Sequence, residues 1–180
     1  MDLMIDIETL GTGDLPIIAT IGYCRFNPHS GMIYPATTIR VDMLTQSLSN
    51  PETKTVLWWM EQDPAVVKDT FLTGPRVSIE EALLEIRREV DLADHVWAKG
   101  TDFDLRILQE SARYYSYMFA ETETVPRLIP FWKWRDCRTL YDLIHDRLPT
   151  REGPAHDAGA DATYQTKVVC AAFSAARVRL

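Results

Sequence analysis

The sequence predicts a mixed α/β fold, one five-stranded sheet whose first three strands form an antiparallel meander, flanked by helices. Three observations lead there. The N-terminal stretch alternates apolar, β-branched runs with turn-prone clusters. From Ser47 onward, helix-start signals precede apolar residues at helical spacing. Two later apolar runs each lead into a further helix, and the order βββ-α-α-βα-βα suits a mixed sheet covered by helices rather than an all-parallel one.

Leu3-Met4-Ile5-Asp6 reads as a buried strand that ends at the turn-prone Gly11-Thr12-Gly13-Asp14. Ile17 to Phe26 is the second strand, Asn27 to Gly31 a turn, and Met32 to Val41 the third strand. Asn50-Pro51-Glu52 opens a helix carrying Val56 to Met60, and Asp63-Pro64 opens a short one. Ser78-Ile79-Glu80-Glu81 fits a capping box, followed by an apolar face of Ala82, Leu83, Ile86 and Val90. His95 to Ala98 is a short strand, and Phe103 to Tyr117 a helix with Leu105, Leu108 and Ala112 on one side. Glu121 to Arg127 reads as a loop and Ile129 to Trp134 as the last strand. Asp136 then caps a helix bearing Leu140, Leu143 and Ile144. Pro149 to Ala155 is a loop, and Asp157 to Arg177 a long helix.

The chain of 180 residues suits a single domain, and 46% hydrophobic with 25% charged residues is a globular composition. No apolar run approaches the roughly 18 residues that span a bilayer, so no membrane partner is expected. Met1-Asp2-Leu3 opens straight into a strand, which argues against a secretory signal. Three separated cysteines without a CxxC argue against a disulfide framework or zinc site, and favour a reducing, cytoplasmic compartment. The net charge of -7 tells against a processive binder of long nucleic acid, but not against an enzyme acting on an end through metal ions.

Chemistry concentrates in three places. Residues i and i+2 of a strand share a face, so Asp6 and Glu8 present two carboxylates about 7 Å apart. Hard divalent cations such as magnesium and manganese take such oxygen ligands, although a D-x-E alone also fits a solvated strand end. Asp104 follows Phe103 at a helix start, where the dipole favours any acid. Asp102 competes for the role; if Asp102 caps the helix, Phe103 packs inward and Asp104 faces a cleft, which is the preferred arrangement. His156 and Asp161 are about 140° out of phase if both are helical. With Asp157 as N-cap, His156 lies on the preceding loop and Asp161 in the first turn, tilted back toward it. Four acids and a histidine from distant stretches are what a metal-dependent nuclease needs to hold two divalent cations against a phosphodiester.

Asp6-x-Glu8, Phe103-Asp104 and His156-x4-Asp161 resemble the three motifs of the DEDDh (DnaQ-like) 3'-5' exonuclease superfamily. The stretches Ile5 to Gly11, Val56 to Trp59 and Asp136 to Leu140 are similar to its phage exonuclease A-like branch and bacterial relatives. The resemblance spans nearly the whole chain; Lys99, where many members carry Asn, is a departure. It implies an RNase H-like fold and a 3'→5' exonuclease that hydrolyses single-stranded DNA or RNA, or 3' overhangs, to nucleoside 5'-monophosphates. Asp6, Glu8 and Asp161 then hold a first Mg²⁺ or Mn²⁺, with Asp6 reaching a second supported by Asp104. His156 acts as general base, a role that suits a histidine because the free imidazole titrates at about 6.5, near working pH. Thr9 and Leu10 meet the terminal nucleotide. The expected setting is bacterial cytoplasm, or a phage protein acting there, and dimers among relatives make a homodimer one expectation.

Trp58 is a base-stacking candidate, against the reading that Trp58 and Trp59 mainly serve packing, since adjacent helical aromatics point two ways. Phe103 joins the candidate substrate contacts. Arg138 is set either to touch a phosphate or to form a helix-terminal ion pair. Alternatives on the same site are RNA-specific trimming or oligoribonuclease-type activity, and a binding module with decayed catalysis. The full ligand set speaks against decay.

Overall fold

The computed structural model describes residues 1–115 and 127–177. Strand β1 (Asp2–Thr9) lies at the centre of the sheet, and its alternation divides the molecule into two layers. Leu3, Ile5 and Ile7 point into the larger core, while Met4 packs with Cys24, Phe26 and Trp97 on the opposite face. Asp6 and Glu8 share the Met4 face by the two-residue period. β1 runs antiparallel to β2 (Ile18–Asn27), with Asp6 opposite Gly22 and Glu8 opposite Thr20, and the register breaks between Glu8 and Thr9.

The third strand differs from its expected form. Met32 to Val41 is two segments, β3 (Met32–Ile33) and β4 (Thr37–Arg40), both antiparallel to β2. Pro35 is the cause, because it brings no N–H to the ladder. From Phe26↔Ile33 to Tyr23↔Thr37, three steps on β2 are met by four on its partner, a one-residue bulge. The sheet therefore has six strands rather than five, in the order β3-β2-β1-β5-β6 with β4 also alongside β2.

Helices α1 (Thr53–Met60) and α2 (Pro64–Leu72) follow, the latter capped by Asp63 with Pro64 in its first turn. α3 (Ile79–Leu92) carries the complete capping box of Ser78 and Glu81, and its Ile79, Leu83, Ile86 and Val90 are buried. Strand β5 (Val96–Ala98) pairs parallel with β1, and α4 (Asp104–Tyr115) follows it. The expected helix to Tyr117 and the expected loop from Glu121 extend into positions outside the described residues.

The last strand is displaced from its expected position. Pro130 starts a 3₁₀ turn, Phe131–Lys133, and β6 is Trp134–Asp136, parallel to β5. Ile129 is buried as an apolar core residue without being a strand residue. Lys133 Nζ donates to the carbonyls of Val90 and Ala93 at 2.8 and 2.6 Å, which ties this turn to the end of α3. Asp136 ends β6 and accepts the Arg138 N–H at 2.8 Å, so it serves both the strand and the start of α5 (Arg138–Leu143).

Helix α6 (Ala158–Arg177) covers the β1–β2 face, and the helix start is set by Asp157, whose Oδ1 accepts the Ala160 N–H at 2.8 Å. Its first turn comes unusually near the sheet. A Cβ at Gly22 would overlap the Ala158 carbonyl, and one at Gly159 would overlap Thr38 Oγ1. Gly22, against the α6 backbone, and Gly159, against the Thr38 side chain, thus let the N-terminus of α6 settle beside the residue opposite Asp6.

Candidate active site

Five side chains from four segments meet where β1 ends. Glu8, His156 and Asp161 each bring a ligand atom to within 4.8 Å of the others. Asp104, at the start of α4, is 4% exposed, and its Oδ1 accepts the Ile7 N–H at 3.0 Å. That bond locks α4 to β1 and aims Asp104 at the strand between the two β1 acids. Asp102, the competing position, is exposed.

Asp6 and Asp161 are fixed by neighbours as well. Gln165 Nε2 donates to Asp6 Oδ1 at 2.6 Å, from one turn beyond Asp161 on α6. Asp161 Oδ2 accepts the His156 backbone N–H at 2.9 Å, and its Oδ1 pairs with Arg151. His156 itself takes the left-handed conformation, φ 63°, which turns the chain from the loop into α6. Its ring meets the Trp58 ring edge-on, with centroids 4.8 Å apart.

The electrostatics follow from burial. Removal from water, followed by the charges of Asp161 and Asp104, pushes the Glu8 carboxyl up to about 8. Burial likewise carries Asp104 to about 7, against the opposing pull of the Ile7 N–H. Asp6 is raised well above the carboxylate range, first by burial and then by Asp104, Glu8 and Asp161, with the Gln165 hydrogen bond acting the other way. Acids crowded in this way resist ionisation unless a cation joins them. The donors are all carboxylate oxygens beside one imidazole, a set that suits a hard divalent cation. The fit is to a metal centre, with Asp6, Glu8, Asp104 and Asp161 as the residues able to hold it.

Beside the acids lies a cleft of about 370 Å³, lined among others by Glu8, Thr9, Glu52, Trp58, Trp59 and Phe103. Both tryptophans line it, although adjacent helical aromatics point two ways. Trp59 is buried and its Nε1 donates to the Thr9 carbonyl at 2.8 Å, whereas Trp58 is 39% exposed. The two rings meet edge-on at 5.0 Å, so the pair forms a corner with one wall on each side. Of the other candidates, Thr9 and Phe103 line the cleft. Leu10 is not among its lining residues; its N–H bonds the Ile17 carbonyl and its carbonyl accepts the Glu52 N–H. Arg138 also lies outside the lining, exposed, with Nη2 on the Lys99 carbonyl at 3.2 Å and its charge acting on Asp104.

Sequence reasoning passed over three residues. Gln165 could have been found, since it falls four positions after Asp161 on one helix face. Glu52 accepts the backbone N–H groups of Thr12 and Gly13 at 2.9 and 2.8 Å, and so shapes the cleft's rim. Arg151 sits on an irregular loop, and no spacing rule points to it.

A family profile described as 3'-5' exoribonuclease Rv2179c-like domain matches residues 1–173. The exodeoxyribonuclease of Enterobacteria phage T4 is 24% identical over 162 residues, 79% of this chain and 71% of that protein. In fold, the chain is similar to E. coli exonuclease I in a zinc-bound complex with single-stranded DNA (TM-score 0.63, 14% identity, 98% of this chain). It spans 40% of that larger chain. Exonuclease X in complex with 5' overhanging duplex DNA gives a TM-score of 0.55 at 15% identity, covering 98% of this chain and 93% of that one. The mixed sheet, the buried acids at the end of β1 and the match along nearly the whole length agree. The chain belongs to the 3'-5' exoribonuclease Rv2179c-like domain family, within the metal-dependent DEDDh 3'-5' exonucleases.

Proposed function

We propose that this exonuclease removes nucleoside 5'-monophosphates from the 3' end of single-stranded RNA, using two divalent cations, Mg²⁺ or Mn²⁺. The observation that carries the reading is the convergence of Asp6, Glu8, Asp104 and Asp161 with His156, burial having raised the proton affinity of three of the acids. The family description favours RNA. The phage relative, an exodeoxyribonuclease, supports DNA as the second reading. The site draws on residues from Asp6 to Gln165, which supports taking the chain as one exonuclease domain.

When bound, the cations supply charge stabilisation for the transferring phosphoryl group and its leaving oxygen. The chain's own residues do the rest. Asp6, Glu8, Asp104 and Asp161 give the oxygen donors, and Gln165 holds Asp6 in one orientation. His156 accepts a proton from the attacking water at its ring nitrogen. The edge-on contact with Trp58 limits the rotation of that ring while leaving it partly exposed to solvent. The terminal base lies against Trp58 and Phe103 in the cleft, and Thr9 faces the terminal sugar. Arg138, beside Asp104, meets a phosphate further along the strand.

The test uses 5'-labelled RNA and DNA of one sequence, single-stranded and with 3' overhangs, in Mn²⁺. The reading expects a ladder shortening from the 3' end on single-stranded RNA, absent with Asp6→Asn. Faster shortening of DNA would transfer the assignment to the second reading, and no shortening of either strand would refute both.

A further inference from the structure

Asp161 divides its two oxygens. Oδ2 accepts the His156 N–H, and Oδ1 is held by the guanidinium of Arg151, so a cation that takes Oδ1 competes with Arg151 for it. Among the described residues, Arg151 is the one cationic side chain in ion-pair contact with any of the four acids. Its charge also acts on Glu8. The same guanidinium lies over the Tyr164 ring, 5.2 Å from its centroid, so it has a second seat that does not depend on Asp161. Its backbone belongs to the loop before α6, where Gly153 takes φ 82°.

We propose that Arg151 is the internal counter-cation of the metal site, holding Asp161 Oδ1 until a divalent cation takes that oxygen and leaves the guanidinium on the Tyr164 ring alone. The proposal rests on the reading of the four acids as a divalent-cation site. A doubly charged ion and a guanidinium compete for one oxygen, and the ion wins because it binds several of the clustered carboxylates at once. The acid cluster keeps a compensating charge when metal is scarce, and the metal binds more weakly than the bare carboxylates would allow.

The experiment is calorimetric titration of the full chain with Mn²⁺, comparing wild type, Arg151→Gln and Arg138→Gln. Arg138 is the matched control, because its charge acts on Asp104 without contacting Asp161. Loss of a charge-assisted hydrogen bond to Asp161 should tighten Mn²⁺ binding about tenfold in Arg151→Gln, against about twofold or less in Arg138→Gln. Equal affinity of Arg151→Gln and wild type, or equal tightening in both variants, overturns displacement. A wild type that binds no Mn²⁺ overturns the cation-site reading itself and this proposal with it. A second measurement does not depend on the Gln variant folding: ¹⁵N spectra of the arginine side chains in EDTA and in saturating Mg²⁺. The Arg151 signals, identified by their absence from Arg151→Lys, should show hindered rotation in EDTA and averaging with Mg²⁺. Signals unchanged by Mg²⁺ overturn the proposal.

Discussion

Asp104→Asn isolates the electrostatic cost of the acid cluster, because the amide keeps the shape and the oxygen that accepts the Ile7 N–H. Burial moves the Asp104 carboxyl from 3.8 to about 7. The sign follows from proton binding. Between those values the unfolded carboxyl is ionised while the folded one keeps its proton, so stability falls as pH rises, and the loss is complete above about 7. At about 1.36 kcal/mol per pH unit, the upper bound is about 4 kcal/mol. Asp6, Glu8 and Asp161 respond to the same charge and each relieves part of it, so about 2 kcal/mol is expected. For a chain of this size that is roughly 4–8 °C in melting temperature. Thermal unfolding in EDTA should therefore find Asp104→Asn and wild type nearly alike at pH 4, with the variant several degrees higher at pH 8. Saturating Mn²⁺ should reverse the order at pH 8, since wild type gains a ligand that the variant lacks. A difference in EDTA that does not change with pH would show that burial does not raise the Asp104 carboxyl.

Three further outcomes are expected. Gln165→Met removes the donor to Asp6 and should lower kcat about tenfold with KM little changed, measured in steady state; an unaltered kcat would remove its positioning role. Trp58→Ala takes one wall from the cleft and should raise KM roughly tenfold for an oligonucleotide, as the loss of one stacked base implies, whereas an unchanged KM would return Trp58 to packing alone. Gly22→Ala puts a methyl group against the Ala158 carbonyl, which cannot yield as a side chain could, and should cost about 1–3 kcal/mol in denaturant unfolding; full stability would mean that α6 does not need its close approach.

The parts of this molecule legible in its sequence are those governed by local rules. The capping box at Ser78, the Asp157 cap and the two-residue alternation of β1 act within a few positions of themselves, and they set α3, the start of α6 and the shared face of Asp6 and Glu8. The grouping of Asp6, Glu8, Asp104, His156 and Asp161 was legible too, through motif order. Pro35 was visible, but the run around it is β-prone, and its effect depends on whether β2 needs an N–H there. The displaced β6 has the same origin. Leu128 and Ile129 are apolar because they fill the core, and Pro130 makes the chain turn before the ladder starts. The placement of Trp58 and Trp59 was not legible, because their side chains meet edge-on at a corner beside His156 and the Thr9 carbonyl from elsewhere in the chain. Arg151 reaches the acids from an irregular loop, and such loops carry no period to read.

The central claim is that the buried acids form a cation-dependent centre acting on a 3' terminus. Its most direct test follows RNA labelled at the 3'-terminal nucleotide, incubated with wild type, Glu8→Gln and wild type in EDTA. Labelled nucleoside 5'-monophosphate should be the earliest product, released by wild type in Mn²⁺ and by neither of the other two. Label appearing first in longer fragments, or release that persists in EDTA, would contradict it.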